Sequence, residues 1–219
     1  MIIQNMKSMK HQHKLALFVL FLFLLSGCVE QNKSLGNETL VDYVNPYIGN
    51  ISHLLVPTYP TVHLPNSMLR VYPERADFTG DVLNGLPVAV TSHRGSSAFS
   101  LSSFQGNESD LKPVIPYSYD REKITPYDYF VYLDEQETSV YYAVSHQSGI
   151  YELTFDRTVP VSLILNSRRG ELQWDGKAFS GYQQLQNNTR IFVYMEPDVQ
   201  PRQVNKKTAS GQNANIVLS

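Results

Sequence analysis

From Val41 onward the sequence is a succession of short segments rich in β-branched and aromatic residues, and none of it carries a helical period. Residues 68–72, 87–91, 130–133, 138–145, 150–155, 161–166, 190–195 and 215–218 are each read as strands. Turn residues separate them: Asp134 to Glu137, Gln147 to Gly149, Ser167 to Gly170, and the hairpin signal Asp175-Gly176. Tyr151 to Phe155 alternates large apolar with polar side chains, as a strand with one buried face should. Short strands at close spacing with turn signals predict an all-β fold, an antiparallel β-sandwich over residues 41–219. Residues 45–106 are less regular, with prolines at 46, 57, 60, 65, 73 and 87, and read as long structured loops of the kind that carry binding groups.

The amino terminus has a different character. Lys7, Lys10 and Lys14, with His11 and His13, make a basic leader without acidic residues, and Leu15 to Leu25 is unbroken apolar sequence. That run matches a signal-peptide core and is short for a membrane span. Leu25, Ser26, Gly27 and Cys28 follow at once, so residues 1–27 are expected to be a lipoprotein signal peptide and Cys28 the lipidated residue. Residues 28–40 are polar and read as a flexible tether. The expected place is the bacterial cell envelope, lipid-anchored at the outer membrane, facing the periplasm or the cell surface.

A formal net charge of −2, with no basic run, argues against a nucleic-acid partner. Cys28 is the only cysteine, so neither a disulfide nor a thiolate metal site is available to the folded part. His53, His63, His93 and His146 lack zinc-site spacing, and no metal ligands are assigned. His146 reads as structural at a strand end, Trp174 as packing at the core edge beside its hairpin, and Asp134 to Glu137 as a solvated hairpin tip.

Val44, Asn45, Pro46, Tyr47, Ile48 and Gly49 resemble the V-N-P-x-I-G segment that opens the N-terminal domain of glycoside hydrolase family 92, the calcium-dependent exo-acting α-mannosidases. Pro65 to Pro73, with Met68 inside it, resembles that family's P-F-G-M-x-x-x-x-P segment, with Asn66-Ser67 in place of Phe-Gly. Thr125 to Leu133 resembles its P-G-Y-Y-x-V-x-L strand, and the likeness extends over about residues 42–219. It implies a galactose-mutarotase-like supersandwich, a glycan or α-mannoside as partner, and a role on the substrate side of the site. In such enzymes a helical domain carries the general acid, the general base and most calcium ligands. That domain is expected as a partner in cis or in trans; no cofactor is expected in this chain, with Ca2+ belonging to the complete enzyme. The alternative is a free-standing glycan-binding surface lipoprotein without hydrolase activity.

Thr91 to Ser97 stands where the family carries a G-F-S-H-x-H-x-S-G-like loop, here with one histidine. The resemblance marks His93 and Arg94 as substrate-binding residues, and imidazole and guanidinium can both donate hydrogen bonds to sugar hydroxyls. Inverting hydrolysis needs two carboxyl groups roughly 6.5–9.5 Å apart. Asp77, Asp81, Asp110, Asp120, Asp134, Glu135, Glu137 and Asp156 show no convergent pair, so no catalytic residue is assigned. The sequence stops at Ser219 in what reads as the middle of a strand, which predicts an unpaired edge there.

Overall fold

The hairpins with the clearest alternation form the first sheet. In Asp128–Leu133 (β4) the side chains alternate between half-buried and buried, and Thr138–Val144 (β5) follows across the Asp134–Glu137 turn. Gly149–Phe155 (β6) pairs with β5, and Pro116–Ile124 (β3) pairs with β4 and with Val82–Asn84 (β1), giving the antiparallel order β1-β3-β4-β5-β6. Ser100–Gln105 (β2), Val161–Arg168 (β7), Val204–Ala209 (β11) and Asn213–Leu218 (β12) make a second sheet, ordered β11-β12-β7-β2. Gly170–Trp174 (β8), Phe179–Gln184 (β9) and Arg190–Met195 (β10) make a third, ordered β10-β9-β8.

This computed structural model describes residues 39–50, 58–75, 80–91, 97–107, 110–209 and 213–219. The expected leader and Cys28 lie outside the described residues, as do His93 and Arg94. The strands among the described residues fall within Leu40–Ser219.

The four-stranded sheet is buried on both faces. Ile164 and Val217, cross-strand partners on one face, join Tyr117, Tyr129, Val131, Leu133, Val140 and Tyr142 of the five-stranded sheet. Leu165 and Ile216, partners on the other face, join Leu172 and Phe179 of the three-stranded sheet. The chain changes sheet at Arg169, whose φ of 56° turns a sharp corner between β7 and β8. Gln183 secures that corner: its buried Oε1 accepts from Phe99 N and Arg168 N, each at 3.0 Å. At Gly170 an added Cβ would stand 1.9 Å from Tyr182 O, so only glycine fits this crossing.

The outer edge of β2 is covered by the other elements. Leu86 bridges Leu101, the Tyr117 hydroxyl donates to Ser103 O at 2.7 Å and accepts from Ser103 N at 2.9 Å, and Gln136 Oε1 accepts from Gln105 N at 2.7 Å. Backbone groups that would template association are thereby satisfied from within.

Several expectations are corrected. Residues 68–72 and 87–91 make only the isolated bridges Val62–Val71 and Ala89–Ala98, because Pro65, Pro73 and Pro87 interrupt any ladder. The carboxyl-terminal strand is not an edge: β12 is paired on both sides, with β11 folded back beside it, and Ile216 is fully buried. The Asp175-Gly176 hairpin forms as expected, with Asp175 Oδ1 accepting from Lys177 N and Ala178 N.

Burial pushes the Tyr117 phenol up to about 12, from an ordinary value near ~10. A phenol raised on folding binds its proton more tightly in the native state. Its stabilisation is therefore complete below pH ~10 and is lost as pH rises towards the folded value. Urea denaturation should show stability falling from about pH 10 upward, with a shallower fall in Tyr117→Phe. An equal slope in the two proteins would contradict this.

Candidate functional site

The V-N-P-Y-I-G segment folds as consecutive turns. Asn45 Oδ1 accepts from Tyr47 N at 2.9 Å, an Asx turn, and Gly49 takes a φ of 86°. These turns aim Tyr47 at β3, where its hydroxyl donates to Glu122 Oε2 at 3.2 Å. Glu122 is turned inward by a β-bulge: Asp120 pairs with Tyr132 and Lys123 with Phe130, so Arg121 and Glu122 together stand opposite Val131. Arg121 absorbs the irregularity with a φ of 54°.

Glu122 also accepts from the Tyr129 hydroxyl at 3.2 Å and forms an ion pair with Arg75. The pair is buried, with side-chain exposures of 5% for Arg75 and 10% for Glu122. Arg75 lies over the Tyr119 ring at 5.0 Å, and its Nε is buried without a partner among the described residues. Burial first, and then the negative Glu122, raise the phenols of Tyr47 and Tyr129, so both remain protonated donors to the carboxylate.

The preceding residue faces the other way. Glu74 accepts from Ser97 Oγ at 2.7 Å and forms an ion pair with Arg168 at 3.1 Å. Its backbone carbonyl accepts from Asn84 N at 2.8 Å, laying residues 74 and 75 along β1. Glu74 and Arg75 thus make a two-sided clamp, joining the five-stranded sheet to Ser97 and the end of β7. The Ala89–Ala98 bridge and the bond from Val90 N to Arg70 O close the base of the segment that contains His93 and Arg94.

The proline-bounded segment is tied to the same region. His146 O accepts from Met68 N, Leu69 N and Ser67 Oγ, so His146 is structural, through its carbonyl. His63 N donates to Pro126 O. Of the stretches singled out in the sequence, Tyr47 is thus tied to Glu122 and Arg75, the Pro65–Pro73 segment to His146 and through Arg70 to Val90, and Ser97 to Glu74.

Glu74, Arg75 and Glu122 were not distinguished by sequence reasoning. The only available signal was an adjacent Glu-Arg pair directly after Pro73, with Arg70 and Asp77 close by. Both carboxylates are engaged by arginine, which suits a scaffold that fixes loops better than a proton shuttle. Elsewhere, the hydrogen bond from the Ser118 hydroxyl lowers Glu135, and Arg157 lowers Glu137; in the Asp134–Glu137 turn, expected as a solvated tip, Asp134 and Glu135 are exposed but Gln136 is buried against β2. Trp174 packs edge-on against Phe179, with ring centroids 5.4 Å apart. Among the described residues no group of three or more His, Cys, Asp or Glu is placed to hold a metal ion.

The Glycosyl hydrolase family 92 N-terminal domain matches residues 43–215. No curated protein matches the chain. Among solved structures, the family GH92 alpha-mannosidase BT3965 from Bacteroides thetaiotaomicron superposes with a TM-score of 0.68 at 14% identity, covering 83% of this chain and 31% of that one. Its complex with mannoimidazole superposes at 0.67 and 14% identity, covering 83% and 30%. The glycosyl hydrolase ccman5 superposes at 0.50 and 15% identity, covering 74% and 28%. At these identities the structural likeness is one of fold, and the chain spans less than a third of each solved structure. The match over residues 43–215 places the chain in glycosyl hydrolase family 92, as a member of its N-terminal domain family.

Proposed function

We propose that this chain is the substrate-side domain of an α-mannosidase-like glycoside hydrolase acting in glycan degradation, and that it binds glycan without hydrolysing it alone. The family match over residues 43–215 carries the reading. The bond from Ser97 to Glu74 and the bond from Val90 N to Arg70 O support it by fixing the described residues on either side of His93 and Arg94. In this reading His93 and Arg94 donate hydrogen bonds to sugar hydroxyls, and a helical domain supplies the catalytic carboxylates and the calcium site. Cys28 holds the domain at the envelope through its lipid, the apolar run and small residues before it being the support.

Calorimetry of the purified chain with α-mannobioses should show binding. Each hydrogen bond lost in His93→Ala or Arg94→Ala should weaken it by about five- to tenfold. Aryl α-mannosides should be hydrolysed no faster than in buffer. Hydrolysis abolished by Glu74→Gln or Glu122→Gln would overturn the non-catalytic role, and unchanged binding in both loop variants would overturn theirs. For the anchor, Cys28→Ala should move the chain from the membrane fraction to the soluble one; an unchanged distribution would contradict lipidation at Cys28.

A further inference from the structure

The three-stranded sheet has a solvent face that its core does not explain. Along β10 the inner positions Ile191, Val193 and Met195 pack against the second core cluster. The outer positions are Arg190, Phe192 and Tyr194, of which Phe192 is 72% and Tyr194 60% exposed. Cross-strand register extends this face in rows. Phe192 stands beside Tyr182 and Glu171, Tyr194 beside Ser180 and Gln173, and Arg190 beside Gln184. The pairing runs through β8, β9 and β10 without a register shift.

The polar side chains among these rings are already oriented. Arg190 Nε donates to Gln184 Oε1 at 3.2 Å while its guanidinium lies 4.2 Å from the Tyr182 ring centroid. Gln173 Nε2 donates to Ser180 Oγ at 3.1 Å. Glu196 accepts from the Tyr194 hydroxyl at 2.6 Å and from Lys177 at 2.9 Å. Two cations, Arg190 and Lys177, stand against three anions, Glu171, Glu196 and Asp175, so the patch has no positive charge to attract an anionic lipid or a nucleic acid. Aromatic faces are electron-rich and attract the positively polarised C–H groups on one side of a pyranose ring. Amide, guanidinium and carboxylate groups at the rim can serve its hydroxyls.

We propose that this face, centred on Tyr182, Phe192 and Tyr194, is a platform for a neutral oligosaccharide. It lies on the opposite side of β9 from Gln183, which turns inward to meet Phe99 and Arg168. The choice of a glycan as ligand rests on the function proposed above; the location rests on the rings.

Native gel electrophoresis of the purified chain through gels containing yeast mannan, laminarin or dextran tests it. At least one of these should retard the chain. Losing a stacking ring in Phe192→Ala or Tyr182→Ala should cut that retardation about fivefold or more, with thermal unfolding of the exposed-site variant Phe192→Ala unchanged. Retardation unaffected by Phe192→Ala and Tyr194→Ala, but lost in His93→Ala, would overturn the platform and leave the proposed function standing. Ring-dependent retardation by laminarin or dextran but not mannan would support the platform while contradicting the mannoside reading. No retardation by any of the three, or a concentration-dependent dimer abolished by Phe192→Ala, would overturn the platform.

Discussion

The buried pair of Arg75 and Glu122 is the interaction on which the loop architecture depends. Removing two charges from water is costly, and the attraction between them offsets that cost only when the remaining hydrogen-bonding capacity is used well. Here Glu122 is completed by the hydroxyls of Tyr47 and Tyr129, while Arg75 lies against the ring of Tyr119 and its Nε has no partner among the described residues. The pair therefore joins a bulge in β3, the start of the family-matched region and the strand-like stretch beside β1. A replacement at either partner would leave the other charge buried and alone.

Because Glu74 and Arg75 are consecutive and extended, their side chains leave opposite sides of the backbone. One residue serves the first sheet, and the other serves Ser97 and Arg168 at the far end of β7. A local rule of strand geometry thus becomes a connection between sheets. The four-stranded sheet, buried on both faces and covered along β2, is the rigid body to which that connection is made. Binding residues on loops need such support, since a loop's own backbone supplies little.

What could be read from the sequence followed from how simply each strand meets its surroundings. β4 and β5 were legible because each buries one face and alternates accordingly. β2 was not: Ser100, Ser102 and Ser103 are all buried in a strand whose edge is satisfied by Tyr117 and Gln136, an arrangement invisible to apolar periodicity. β3 was hidden by its bulge, which places the charged run Asp120 to Lys123 on both sides of the sheet. β11 carries Lys206 and Lys207 and is recognisable only as the partner of β12. Of the site, the segments were legible from family resemblance, but the charges holding them together were not, because Arg75 and Glu122 are 47 residues apart.

The most direct test of this account is a double-mutant cycle at Arg75 and Glu122, using Arg75→Met and Glu122→Gln, read by urea denaturation. Each single substitution should cost about 3–5 kcal/mol by stranding its partner, and the double variant should recover about 2–3 kcal/mol of their summed loss. Additive losses, within about 0.5 kcal/mol, would show that the pair does not act as a unit and would contradict the account.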